Sequence, residues 1–174
     1  MIKKIVNKIN YILKSNFRKI FYYLRFFKNK KKGHWNVKNF DNYQEYIEFQ
    51  KEKTLDQNRR SKWLNDEWDE KVNYFDNIFK KLFKEINLEI KSKCLCIGAR
   101  TGQEVHALHK LGFSAIGIDI VECKPLVEIG DMHNLKYSDN SFDFIFNNIL
   151  DHSLYPEQSI AEIERVLKKN GYLF

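Results

Sequence analysis

The run Cys94-Leu95-Cys96-Ile97-Gly98-Ala99-Arg100-Thr101-Gly102-Gln103-Glu104 constrains the fold more than any other stretch. Its apolar start reads as a short buried strand. Two glycines then mark a turn, and a helical pattern follows with Val105, Leu108 and Leu111 on one face and Gly112 past its end. Glycines in such a turn let backbone approach a ligand closely, and the new helix offers N–H groups without intrahelical partners. A strand, a glycine turn and a helix in this order predict a nucleotide-cofactor loop.

The texture after residue 92 agrees. Strands are predicted at Lys93–Ile97, Phe113–Ile118 (ending at Asp119), Leu126–Ile129, Phe142–Phe146 and Tyr172–Phe174. Helices are predicted at Thr101–Leu111 and Ser159–Lys169, the second ended by Asn170-Gly171. Alternation of this kind gives right-handed crossovers, a parallel sheet and ligands at the carboxyl ends of the strands. The predicted class is therefore α/β: a Rossmann-like parallel sheet with flanking helices that ends at the fifth strand, preceded by a helical N-terminal region.

Three domains are expected: a basic arm over 1–38, helices forming a cap over 39–91, and the α/β domain over 92–174. The arm has apolar residues at steps of three and four from Ile2 to Phe27, one stripe of a helix. It holds 12 Lys and Arg and no acid, whereas the rest of the chain holds 18 basic against 23 acidic residues. The formal net charge of +7 thus belongs to the arm, and a basic nucleic-acid groove on the body is not expected. Packing on protein and lying on an anionic membrane through residues 1–32 are both open readings. No run approaches the ~18 uncharged residues of a membrane span, and lysines and arginines break the N-terminal stripe where a signal peptide needs an apolar core. Cytoplasmic placement, peripheral to a membrane if the arm binds lipid, is expected. Helical patterns over 40–60 and 62–86 carry Tyr43, Tyr46, Trp63, Trp68, Phe75, Phe79 and Phe83, read as core or cofactor cover. The three cysteines, 94, 96 and 123, are too irregular for a disulfide framework, and no metal site is expected.

The strand ends carry the chemistry. Asp119 stands 17 residues beyond Gly102 and is placed to accept hydrogen bonds from both ribose hydroxyls of an adenosine cofactor, with Ile120 beside it. Asp131 follows strand three and could accept from an adenine amino group while Met132 packs on the ring. Asn147 ends strand four, nearest the reactive end. Asp151 and His152 follow, and the imidazole of His152 could act as a general base. An exposed turn for Asp131 and a structural role for His152 are the alternatives.

Taken together, these segments resemble the class I S-adenosylmethionine-dependent methyltransferases, of the broad type grouped with ubiquinone and menaquinone biosynthesis methyltransferases. The matching pieces are Cys96–Gly102, Gly117-Ile118-Asp119, Gly130-Asp131-Met132, Ser141–Ile145 and Glu162–Gly171. The resemblance implies S-adenosyl-L-methionine as cofactor, bound by Gly98, Ala99, Arg100, Thr101, Gly102, Glu104, Asp119, Ile120, Asp131, Met132 and Asn147. It implies methyl transfer to a small-molecule or lipid-like acceptor, with His152 and Asp151 as candidate catalytic groups. Two positions depart from the pattern: Cys96 stands where an acid is usual and Arg100 where a glycine is usual. Glu104 could compensate for the first, and Arg100 could pair with the cofactor's carboxylate or with Glu104. Family members continue past strand five to a seven-stranded sheet, so a fragment, a sheet completed by a partner chain and a degenerate remnant are all open. A non-catalytic binding or scaffold module is the alternative function. The spacing Gly98-x-x-x-Gly102 disfavours a nicotinamide enzyme, and Asn147-Asn148-Ile149-Leu150 disfavours amino-methylation of DNA bases.

Overall fold

The computed structural model describes residues 40–86 and 88–174; the arm predicted over residues 1–38 lies outside the described residues. Among the described residues three helices come first: α1 (Tyr43–Leu55), α2 (Gln57–Leu64) and α3 (Trp68–Glu85). The sequence predicts two, over 40–60 and 62–86. The first divides at Asp56, whose extended backbone ends α1 and whose carboxylate accepts from Arg59 N at 2.8 Å, capping α2. Asn42 caps α1 in the same way, accepting from Glu45 N at 3.0 Å.

The remaining elements are β1 (Lys93–Ile97), α4 (Gln103–Lys110), β2 (Ser114–Asp119), β3 (Val127–Ile129), β4 (Phe142–Asn147), a single 3₁₀ turn (Leu150–His152), α5 (Pro156–Val166) and β5 (Leu167–Leu173). All strand pairs are parallel, in the order β3-β2-β1-β4-β5. The five-stranded parallel sheet with flanking helices bears out the predicted fold class. Chain order reverses between β1's two neighbours, β2 and β4, and this opens a crevice at β1's carboxyl end. Ile97 registers with Ile118 on one side and Asn147 on the other, so the turn after β1, the end of β2 and the end of β4 meet there.

Strand alternation sorts β1 onto two cores. Cys94 and Cys96 face α3 and α4, where Val72, Phe79, Val105 and Leu108 pack with Phe144 and Phe146. Leu95 and Ile97 face the opposite layer, where Ile163 and Val166 of α5 pack with Ile118 and Ile145. Phe79 is fully buried, edge-on to Phe144 at 6.0 Å and to Phe146 at 5.4 Å, the offset geometry that aromatic pairs prefer. Both cysteines are therefore buried and unpaired, and burial pushes the Cys94 thiol up to about 12.

The end of α5 differs from expectation. The helix starts at Pro156, in the first helical turn where a missing N–H costs nothing, and it stops at Val166 rather than Lys169. Leu167 is already extended, and β5 pairs Leu167 with Phe142 and Tyr172 with Phe144. Two residues of β4 thus oppose five of β5, so Lys168 to Gly171 form an irregularity inside the strand. The polar, glycine-containing turn predicted there exists, but it follows the first strand pair instead of preceding it. Leu173 and Phe174 are half exposed at this sheet edge.

Candidate functional site

The turn after β1 takes a left-handed backbone at Gly98 (φ +77°), Arg100 (φ +47°) and Gly102 (φ +92°). Its amides are used within the protein. Gly98 N and Ala99 N donate to Ile118 O at 2.8 and 3.0 Å, and Gly102 N donates to Ala99 O at 2.7 Å. Arg100 N donates to Asp119 Oδ2 at 3.0 Å, which ties the loop to the end of β2. The space that a Cβ would take at Gly98 is filled by Ile149, and the space at Gly102 by Leu126. These two glycines thus serve a sharp turn and close packing by protein side chains.

A cavity of about 380 Å³ opens above this loop, within the ~300–1,000 Å³ common for small-molecule sites. Of the residues singled out from the sequence, Gly98, Arg100, Asp119, Ile120, Asp131, Met132 and His152 line it. Ala99, Thr101, Gly102, Glu104, Asn147 and Asp151 lie outside its lining. Thr101 is buried, and its hydroxyl donates to Gln103 Oε1 at 2.8 Å; Gln103 Nε2 in turn donates to Trp63 O at 2.8 Å. This chain of bonds anchors α2 to the loop. Asp151 is exposed on the 3₁₀ turn beside His152.

Asp119 is buried at the end of β2, and that burial pushes its carboxyl above the ordinary aspartate range, against the pull of the Arg100 and Val121 amides. Glu104, 4 % exposed on α4, is pushed up to about 8 by burial. It also raises the Cys96 thiol, after burial itself. An acid, absent at position 96, is therefore present in the first turn of α4, with its carboxyl raised by burial.

Asp131 is engaged on both oxygens. Oδ1 accepts from His133 N at 2.8 Å and faces His133 Nδ1 at 2.8 Å, while Oδ2 accepts from the Tyr43 hydroxyl. Burial alone would raise Asp131, but the bonds from His133 and Tyr43 hold it below the usual carboxylate range. With Nδ1–H donated to Asp131, the bond network assigns Nε2 of His133 as the acceptor from Ser153 Oγ at 2.8 Å. His133 is itself buried, with Tyr43, Tyr46 and Tyr155 packed around its ring. This hub pins α1 over the ends of β2 and β3. At the end of β4, Asn147 Oδ1 accepts from Ile149 N at 3.0 Å, and its buried Nδ2 has no hydrogen-bond partner among the described residues.

Trp63 was read as core or cofactor cover, but sequence reasoning missed the polar residues of the cap side of the cavity. Lys53, Thr54, Arg59 and Trp63 line it opposite the loop, and Arg100 stacks on the Trp63 ring at 5.1 Å. Lysines carry little signal in a chain with 24 of them, and nothing in the spacing of α1 and α2 links them to Arg100. The tyrosines of α1 were legible as packing residues, but His133, next to Met132, was not singled out.

Residues 95–174 match a protein family described as a methyltransferase domain. No curated protein sequence matches the chain. Among solved structures it is similar to a protein assigned as an S-adenosyl-L-methionine-dependent methyltransferase from Methanococcus maripaludis. That pair has a TM-score of 0.56 and 19% identity over 79% of this chain and 65% of the other. It is also similar to the protein assigned as a methyltransferase in a Haloferax volcanii complex with the Trm112 methyltransferase activator, with a TM-score of 0.51 and 18% identity over 66% and 57% of the two chains. A third is a protein assigned as a sarcosine dimethylglycine methyltransferase from Galdieria sulphuraria, with a TM-score of 0.51 and 24% identity over 59% and 45%. The chain spans between 45% and 65% of the length of these three, and at such identities the likeness is one of fold. The fold is that of the class I S-adenosylmethionine-dependent methyltransferases. Within it, residues 95–174 are the part of the chain that matches the methyltransferase-domain family.

Proposed function

We propose that the protein binds S-adenosyl-L-methionine in the cavity above the β1 turn and transfers its methyl group to a small-molecule or lipid-like acceptor. The observation that carries this reading is the desolvated carboxylate of Asp119, which lines the cavity at the end of β2 and is held in place by the Arg100 amide. The donor set suits the cofactor. Asp119 offers an acceptor for ribose hydroxyls, Ile120 and Met132 offer apolar walls for a base, and Arg100 offers a cation for a carboxylate. Glu104 and Asn147 would support the site from behind the lining, and Thr101 through its bond to Gln103. Asp131 would order the adenine side through His133 and Tyr43 rather than by an unengaged oxygen.

When bound, the cofactor supplies a methyl already activated by a sulfonium. The protein's part is alignment, exclusion of water and, for acceptors that must lose a proton, a base. His152 lines the cavity just after β4 and would take that proton, with Asp151 next to it on the exposed turn. Residues 39–91 would act as the acceptor-selecting cap, and the basic arm of residues 1–32 would hold the enzyme on an anionic membrane surface. Among the described residues no helix is long and apolar enough to cross a membrane.

Calorimetric titration of the full chain with S-adenosylhomocysteine, with NAD in parallel, tests the central claim. Binding of the first alone, lost in Asp119→Ala, is expected; no binding to folded protein refutes it. One observation favours the alternative of a non-catalytic module: Ile149 occupies the space over Gly98, and the turn's amides are bonded to Ile118, Ala99 and Asp119. Release of labelled methyl to an acceptor separates the two readings. For the arm, co-sedimentation with liposomes should require anionic lipid, weaken with salt and disappear on deletion of residues 1–32.

A further inference from the structure

The cavity carries more positive charge than the proposed cofactor can use. Lys53, Arg59, Lys62 and Arg100 line it, against Glu67, Asp119 and Asp131. Lys62 and Glu67 neutralise each other at 3.0 Å, and Asp131 is consumed by Tyr43 and His133. Asp119 takes its hydrogen bonds from backbone amides at the β2 end. Lys53, Arg59 and Arg100 form no ion pair among the described residues. Lys53 Nζ reaches only Gln50 Oε1, at 3.3 Å, and the face of Phe49; Arg100 lies on Trp63. Three cations from α1, α2 and the β1 turn thus line one cavity, Arg59 at its exposed rim and Lys53 half-buried, with only Arg100 close enough to Asp119 to lower that carboxyl.

They repel one another. Burial lowers Lys53 below the ordinary lysine range, and Arg100 and then Arg59 lower it further; Asp151, after β4, is the one acid that acts in the other direction. Lys53 is therefore felt by the loop on one side and by the β4 exit on the other. That is the end of the cavity where Ile149 and His152 stand. S-adenosylmethionine carries a sulfonium, an ammonium and one carboxylate, a net single positive charge. Its carboxylate can satisfy Arg100 but leaves two cations facing a cationic ligand. A cleft lined by charges of one sign concentrates ligands of the other, and a carboxylate or phosphate makes charge-assisted hydrogen bonds to lysine and arginine.

We propose that the methyl acceptor is an organic anion, bearing a carboxylate or phosphate held by Lys53 and Arg59, with an apolar body packed against Trp63 and Ile149. This rests on the methyltransferase reading of the same site. It assigns specificity to α1 and α2, which carry Lys53 and Arg59 to the cavity lining. Binding of the acceptor would neutralise the cluster and draw α1 and α2 against the loop.

The test uses the full chain saturated with S-adenosylhomocysteine, whose formal charges cancel. Calorimetry is run with 3-phenylpropionate, phenyl phosphate and the neutral 3-phenylpropanol as probes. At least tenfold preference for one of the anions over the alcohol is expected, falling as salt is raised. The preferred anion says whether the site reads a carboxylate or a phosphate. Lys53→Gln and Arg59→Gln should each weaken the anion about three- to tenfold and leave S-adenosylhomocysteine affinity within about twofold. Lys53→Arg and Arg59→Lys should keep most of the anion affinity, which separates lost charge from lost structure. Equal binding of alcohol and anions, or anion binding indifferent to both glutamine variants, overturns the proposal while the cofactor reading stands. Failure of the folded parent chain to bind S-adenosylhomocysteine overturns the cofactor reading, and this proposal with it.

Discussion

Replacing Glu104 by glutamine should remove a pH dependence of stability that the buried carboxyl creates. Glu104 sits on the first turn of α4 behind the β1 turn, fully out of solvent, and burial raises its pKa from 4.5 to about 8. In the unfolded chain the same group ionises near its ordinary value. Between about pH 4.5 and 8 the native state therefore holds a proton that the unfolded state has released, and stability falls as pH rises through that window. At about 1.36 kcal/mol per pH unit, the full displacement corresponds to roughly 5 kcal/mol as an upper bound, and local relaxation and water entry reduce this to about 2–4 kcal/mol. Urea unfolding of parent and Glu104→Gln chains at pH 5, 6, 7 and 8 reads the effect directly. The glutamine amide can leave a donor unpaired, but that cost is the same at every pH and does not enter the slope. Asp119, also raised by burial, titrates in both proteins and largely cancels in the difference. The variant should gain on the parent by about 2–4 kcal/mol from pH 5 to pH 8. Parallel stability curves would refute the assignment of a protonated Glu104.

The aromatic core gives a larger effect that does not depend on pH: Phe79→Ala removes a fully buried ring packed on Phe75, Phe83, Phe144 and Phe146, and should cost about 3–5 kcal/mol in urea unfolding. Gly98→Ala places a Cβ 2.5 Å from Ile149 Cδ1 at φ +77°, so it should destabilise by about 2–4 kcal/mol. Adding Ile149→Ala should recover the steric part of that loss and leave about 1 kcal/mol of backbone strain, which a double-mutant cycle on unfolding free energies measures. Tyr43→Phe removes the hydroxyl shared by Asp131 and His133; a loss of about 1–2 kcal/mol is expected, together with faster hydrogen exchange in α1.

What the sequence revealed and what it concealed follow the range of the forces involved. The strand, turn and helix at 93–110 were legible because the cues are local: a buried run, glycines at positive φ and an apolar helix face. Asp119 was legible because its distance from Gly102 is set by one βα unit. The break at Asp56 was not, since a side-chain cap competes with helix continuation by only about 1 kcal/mol and the periodicity runs through it. Nor was β5's early start, because Leu167 leaves the helix to pair with Phe142, a partner 25 residues away whose register no local pattern encodes.

The two departures in the cofactor loop show the same division and also explain each other. Cys96 on β1 faces the layer of α3 and α4, where a small apolar side chain packs and an acid would need a partner. An acid stands behind the loop at Glu104, but it is buried, and burial raises its carboxyl to about 8 against the pull of the Arg100 charge. Arg100, in turn, takes a left-handed backbone that glycine would take without strain. Its guanidinium turns to Trp63 and the cations of α1 and α2 rather than to an acid of the loop. The charge that Arg100 brings to the cavity thus stands beside Lys53 and Arg59 with no ion pair of its own among the described residues. The substitutions that make the loop atypical are the same ones that give its cavity a demand for an anion.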